Sequence, residues 1–168
     1  MIIVEGPDGS GKTTLCEQLC EDLGLEYMRY SGLSSTTGPD GLGIVDWWDD
    51  HLLKSTDAVF DRCFYISEPI YQLATPGRPL IASPQKMFDG IHEIWLCNPV
   101  IIFCMTDWET EMPIIQSRPG LEGPDLLGFQ KISWVYWAAY SMWNDTLGFV
   151  KHYDYRTSTY DSLKEALL

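Results

Sequence analysis

Gly6-Pro7-Asp8-Gly9-Ser10-Gly11-Lys12-Thr13 follows the pattern GxxxxGK[ST], and its flanks are those the pattern requires. The apolar run from Met1 to Val4 leads into it as a buried strand. Thr13 to Leu23 leaves it as a helix, with Leu15, Leu19 and Leu23 in step and a stop signal at Gly24. Each part has a chemical purpose. The glycines let backbone N–H groups turn inward around phosphate oxygens where a Cβ would obstruct them. The start of the helix adds partial positive charge. Lys12 can reach the outer phosphates as a point charge, and the Thr13 hydroxyl can ligate Mg2+. A strand, a phosphate cradle and a helix in this order decide the fold class.

The rest of the chain continues the alternation. Leu25 to Arg29 reads as a second strand and Ser31 to Gly43 as a loop. Ile44 to Lys54 reads as a short amphipathic helix holding Trp47, Trp48 and His51. Ala58 to Asp61 is a third strand, entering a charged pair at its carboxyl end. Thr75 to Pro84 carries three prolines and must be irregular. Ser83 to Leu96 predicts a helix, and Val100 to Met105 is the clearest strand of all. Asp107 to Ser117 predicts a helix that Pro113 kinks or delays. Arg118-Pro119-Gly120 opens a loop. A helix of about 30 Å then spans Pro124 to Asp145, before a last strand from Phe149 to Asp154 and a closing helix from Thr159 to Leu168. Five strands separated by helices predict an α/β fold, a five-stranded parallel sheet with helices on both faces. Its 168 residues show no repeat and no linker and read as one domain. Ligands of such sheets bind outside the carboxyl ends of the strands.

That rule gathers further candidates at the cradle. Asp61-Arg62 follows the third strand, where an acid can hold a magnesium-bound water and an arginine can fork onto phosphate. Arg29 ends the second strand at the same edge. Arg118 begins a segment that could close over phosphates. The chain has 24 acidic and 11 basic residues, for a formal charge of −13, which repels polynucleotides and anionic lipid. Neither a nucleic acid nor a membrane partner is expected. Four of its five arginines nonetheless fall at strand-end or loop positions that can converge on one cleft, which points to a local site for a small anion.

The five cysteines, Cys16, Cys20, Cys63, Cys97 and Cys104, lack zinc-ligand spacing and read as reduced thiols. The opening MIIVEG lacks the basic start of a signal peptide, and no stretch reaches the ~20 apolar residues of a membrane helix, so the expected location is the cytoplasm.

With these residues in hand, the chain resembles the thymidylate kinase family of P-loop nucleoside monophosphate kinases over nearly its whole length. The likeness is carried by IVEGPDGSGKTT, by DRCFYISEPIYQ, by NPVIIFCMTDWETEMPIIQSR and by HYDYRTSTYDSLKEAL. It implies a P-loop nucleotide kinase architecture with a short lid at about residues 117–125. It implies ATP as donor, held by Gly6, Asp8, Gly9, Ser10, Gly11, Lys12, Thr13 and Thr14, with Mg2+ on Thr13 and Asp61. Lys12, Arg62 and Arg118 become the expected catalytic cations. Asp8, Arg29, Trp48, Arg62, Arg78 and Tyr71 become the expected contacts to the acceptor, a deoxynucleoside 5′-monophosphate such as dTMP. The cradle has Gly9 where one branch of the family has arginine, so the resemblance is to the branch whose cation comes from the lid. No Phe-x-x-x-Arg pair lies between Gly43 and Ser55. Tyr30, Trp47 and Trp48 are the remaining stacking surfaces, although both tryptophans would serve equally well as core.

Two other activities fit the same cradle. A deoxynucleoside kinase would want a carboxylate base near the end of the second strand, where this chain has Arg29. A nucleotide-binding regulator would bind ATP and catalyse nothing, and the intact Lys12, Thr13, Asp61 and Arg62 argue against lost catalysis. Partners are expected to be small nucleotides and, as the family implies, a second copy of the chain. Trp134, Tyr136, Trp137, Tyr140 and Trp143 spread over more than half the circumference of their helix. They serve either such an interface or a wholly buried helix.

Overall fold

A computed structural model describes residues 1–29, 43–52, 54, 56–78, 81–117, 123–145 and 149–167. Five strands, β1 (Ile2–Glu5), β2 (Glu26–Arg29), β3 (Ala58–Asp61), β4 (Val100–Cys104) and β5 (Val150–Tyr153), form one sheet. Their spatial order is β2-β3-β1-β4-β5, and every pairing is parallel. Between them run α1 (Lys12–Leu23), α2 (Ile44–Leu52), α3 (Phe64–Ala74), α4 (Pro84–Leu96), α5 (Trp108–Gln116) and α6 (Gly123–Asn144), and α7 (Tyr160–Glu165) closes the chain. The expected sheet class and all five expected strands are present.

The central strands β1, β3 and β4 are buried on both faces, which is why they read as near-continuous apolar runs, whereas the edge strands β2 and β5 are partly exposed. Ile3, Phe60, Ile101 and Phe103 point to the side covered by α2, α3, α4 and α6. Ile2, Val4, Val59 and Ile102 point to the side covered by α1 and α7. Thus α1 leaves β1 toward one face while α3 leaves β3 toward the other. The two carboxyl ends, adjacent in the sheet, open a crevice between diverging helices.

Three elements differ from expectation. No element was expected between Arg62 and Thr75, yet α3 fills that interval. Ser67, Glu68 and Pro69 interrupt its apolar spacing. Pro69 inside a helix removes one backbone donor and costs about 3 kcal/mol in an isolated case. Burial of Phe64, Tyr65, Ile66, Ile70 and Ala74 against the sheet outweighs that cost. In α5 the helix runs through Pro113, so the proline does not delay its start, and the Asp107 carboxylate caps it by accepting from Thr110 N at 2.9 Å. In α6, Tyr136 is fully buried while Trp134 is 59% exposed. The reading of a wholly buried helix is therefore wrong. The Ser31–Gly43 loop lies almost entirely outside the described residues.

Tyr65 and Gly90 bring α3 and α4 together. A Cβ on Gly90 would stand 2.3 Å from the Tyr65 ring, so the ring occupies the space a side chain would need. The Tyr65 hydroxyl donates to Asp49 Oδ1 on α2, and Asp49 Oδ2 also takes Lys86 of α4. None of the five cysteines is in a disulfide. Among the described residues no helix is long and apolar enough to cross a membrane.

Candidate active site

The cradle begins where β1 ends. Gly6 has φ 146°, and a Cβ there would lie 2.0 Å from Cys104 O, so only glycine lets the chain pass beside β4. Gly11 (φ 83°) is the N-cap of α1, and no side chain caps that end. The first amides of α1 therefore face the loop with their partial positive charge. Ser10 Oγ donates to Pro7 O at 2.8 Å and Lys12 Nζ to the same oxygen at 2.5 Å, which draws the loop into a ring. Lys12 is buried, and that burial, reinforced by the nearby Arg62 charge, lowers its pKa to about 8. Thr14, two residues on, is exposed on α1.

Beside the cradle, at the end of β3, lies Asp61. Thr13 Oγ1 donates to Asp61 Oδ2 at 3.0 Å, and Tyr27 OH donates to the same oxygen at 2.9 Å. A hydroxyl and a carboxylate in contact are the hard oxygen donors Mg2+ takes, the remaining ligands coming from water and phosphate. The two residues expected to hold the ion are therefore together and chemically suited to it. Arg29, at the end of β2, is the register partner of Asp61 and is exposed at the same sheet edge.

Arg62 follows in the left-handed region at φ 77°, a conformation a non-glycine residue adopts at a cost of about 1 kcal/mol or more. Its amide donates to Val4 O at 2.9 Å, extending the β3–β1 ladder by one bond. The turn sends its side chain across the cradle. There Nη2 donates to Asp8 Oδ1 at 2.6 Å and Nη1 to Tyr71 OH at 2.5 Å. Burial opposes the Arg62 charge, but Tyr136, Tyr71, Asp8 and Glu5 outweigh it and hold the pKa above its usual value. The Arg78 guanidinium lies 5.7 Å from the same Tyr71 ring and forks onto the fully buried Glu68, through Nε at 3.2 Å and Nη2 at 3.0 Å.

Asp8, Arg62, Tyr71 and Arg78 are thus one connected group, and Lys12, Thr13 and Asp61 are another beside it. Trp48 belongs to neither. Its side chain is fully buried, 5.3 Å from Phe60 and edge-on to Trp47. With no surface exposed, it is placed as core packing here, whereas it was expected to contact the acceptor. Arg118, Tyr30 and most of the expected lid lie outside the described residues.

One carboxylate at the site had no place in the expectations. Glu5 ends β1 with no exposure and accepts from Cys63 N at 2.6 Å, from Ser67 Oγ at 2.8 and 3.0 Å and from Tyr136 OH at 3.0 Å. Burial raises its pKa, against the pull of Arg62 and these donors. It ties β1, α3 and α6 together directly beneath the cradle. An acid closing an otherwise apolar strand was the visible signal.

A family model for ATPases associated with various cellular activities (AAA) matches residues 2–68, from β1 into α3. No curated protein sequence matches the chain significantly. Among solved structures, the chain is similar to the YorR protein of Bacillus subtilis, determined in complex with phosphorylated GDP. That match has TM-score 0.70 and 17% identity, over 99% of this chain and 92% of that one. It is similar to deoxyadenosine kinase from M. mycoides with bound dCTP at TM-score 0.60 and 15% identity, over 99% and 97%. It is similar to thymidylate kinase from Candida albicans at TM-score 0.53 and 19% identity, over 99% and 88%. Cradle, sheet order and these likenesses agree: the chain has the fold of the P-loop nucleotide kinases, and its resemblance to thymidylate kinases extends from sequence motifs to structure.

Proposed function

We propose that this protein transfers the γ-phosphate of ATP to the phosphate of a deoxynucleoside 5′-monophosphate, dTMP or a related nucleotide, giving ADP and the diphosphate. The observation that carries this reading is the Arg62 guanidinium. It is held between Asp8 of the donor cradle and Tyr71 of α3, so one cation borders both the donor side and the acceptor side. Such transfers need little covalent chemistry, because alignment and stabilisation of spreading negative charge do most of the work. In this reading Lys12 exchanges Pro7 O for a donor phosphate. Asp8 and Tyr71 orient Arg62 toward the bridging oxygens, and Arg29 attracts the acceptor phosphate. Mg2+ on Thr13 and Asp61 would neutralise donor charge when bound. Arg118 would add the closing charge that the resemblance assigns to the lid. No general base is needed, since a phosphate acceptor is already ionised near neutral pH.

The likeness to a deoxyadenosine kinase favours a second reading, in which the acceptor is a neutral 5′-hydroxyl. That chemistry asks for a carboxylate base, and the side chain at the end of β2 is Arg29, whose charge suits a phosphate. Parallel coupled assays with each deoxynucleoside and its monophosphate, including thymidine and dTMP, test the choice. Activity on monophosphates alone is expected. Activity on nucleosides alone would reverse the assignment, and ATP binding without turnover of any acceptor would leave a regulator.

A further inference from the structure

We propose that Tyr27 is a positioning residue that sets the Asp61 carboxylate for its part in holding Mg2+. This rests on the reading of Thr13 and Asp61 as the metal-holding pair and adds a residue from a strand that reading leaves out. Tyr27 stands in β2 opposite Val59, two residues short of Arg29, which is the register partner of Asp61. Its half-buried side chain packs with the cluster covered by α1. From there the hydroxyl reaches along the sheet and donates to Asp61 Oδ2 at 2.9 Å. None of the four stretches that carry the family resemblance includes Tyr27.

Two hydroxyls from different elements therefore meet on one oxygen, since Thr13 Oγ1 of α1 donates to the same Oδ2 at 3.0 Å. Asp61 is only 5% exposed, so bulk water has little part in orienting it. The terminal torsion of an aspartate is soft, and a carboxylate with one donor can still turn about it. Donors anchored on β2 and on α1 fix its plane and divide its two oxygens. Oδ2 is committed to the protein, which leaves Oδ1 to meet a metal-bound water. Thr13 cannot secure this alone, because its hydroxyl is itself expected to serve the ion. Tyr27 has no such second duty and acts only through Asp61. A donated hydrogen bond also draws charge from the carboxylate, which weakens its pull on a cation. Orientation is the larger effect: removing an outer partner of a metal-holding group typically lowers metal affinity ~10- to 100-fold.

The test measures binding, with no acceptor present. Wild type, Tyr27→Phe, Asp61→Ala and the double variant are titrated by calorimetry with β,γ-imido-ATP, once in Mg2+ buffer and once in EDTA. A melting curve for each variant confirms folding. The ratio of the two affinities reads the share that the metal contributes. Tyr27→Phe is expected to lower that ratio about tenfold, to leave the affinity in EDTA unchanged, and to add nothing once Asp61 is alanine. If Tyr27→Phe keeps or raises the wild-type ratio, or weakens binding equally in both buffers, the hydroxyl does not position the acid and the proposal is overturned. A further loss in the Asp61→Ala background, or a Tyr27→Phe chain that no longer folds, overturns it as well. If wild type binds the analogue no more tightly in Mg2+ than in EDTA, or if Asp61→Ala keeps the wild-type ratio, the metal reading itself fails and takes Tyr27 with it.

Discussion

Arg62 Nη2 meets Asp8 Oδ1 at 2.6 Å across 54 residues of chain, although the Arg62 backbone must sit at φ 77° to permit it. The contact joins the loop after β1 to the loop after β3, and it makes the orientation of the guanidinium a property of the donor cradle. An ion pair with the arginine only 10% exposed is less screened than one at the surface. Holding that cation in place is what the strained turn secures.

Arg62→Ala should lower kcat by at least ~10²-fold, a conservative floor beside the ~10³ to 10⁵ that an arginine stabilising a transferring phosphoryl group supplies. Arg62→Lys should not restore the rate, because an ammonium cannot serve Asp8 and Tyr71 as a fork. Steady-state kinetics with ATP and the best monophosphate acceptor would measure both. Turnover above half of wild type in Arg62→Ala would remove the residue from the mechanism.

Asp61→Asn should raise the Mg2+ concentration for half-maximal activity by about 10- to 100-fold, the range typical for losing a carboxylate that supports a bound metal. Tyr27 and Thr13 both donate to the oxygen at issue, and an amide oxygen can still accept from them, so the fold should survive. A magnesium titration at saturating ATP reads the shift directly.

Glu111, on α5, has no exposure, and no well-formed hydrogen bond reaches either carboxylate oxygen. Burial raises its pKa to about 7. Ser133, the Thr106 amide and Lys12 only partly oppose this, and Asp107 adds to it. The folded state therefore binds this proton more tightly than the unfolded chain does. Its contribution to stability is complete below about pH 4.5 and is lost as pH rises through 7, a total of about 3 kcal/mol. Glu111→Gln should flatten that decline and be more stable than wild type at pH 8 while matching it near pH 5. Urea unfolding at the two pH values checks the sign.

Thiol chemistry should separate the cysteines by burial. Cys16, Cys63 and Cys104 are buried, and burial raises the pKa of each, whereas Cys20 and Cys97 are half-exposed. A thiol reagent should titrate two groups in the native protein and all five after denaturation.

Sequence reading recovered the parts of this molecule whose cause is local. The cradle is written in consecutive residues, and the central strands β1, β3 and β4 are apolar runs. Setting Asp61 beside Thr13 followed from placing the carboxyl end of the third strand next to the cradle. What stayed hidden depends on distant partners. The order β2-β3-β1-β4-β5 has no periodic signature, since the three central strands are buried on both faces and do not alternate. Helix α3 was masked because Ser67 and Glu68 turn inward to Glu5 and Arg78, so polar residues occupy a core-facing stripe. Trp48 could not be divided between base and core without knowing that Phe60 lies beside it.

Gly90 carries one more consequence. A glycine within a helix is ordinarily a weak link, yet here the missing methyl is the recess that admits the Tyr65 ring. Through the phenol on that ring, Asp49 is held, and through Asp49, Lys86. Even alanine at position 90 would evict the ring, so the smallest side chain in the protein acts as the keystone of a three-helix arch that stands on a hydrogen atom.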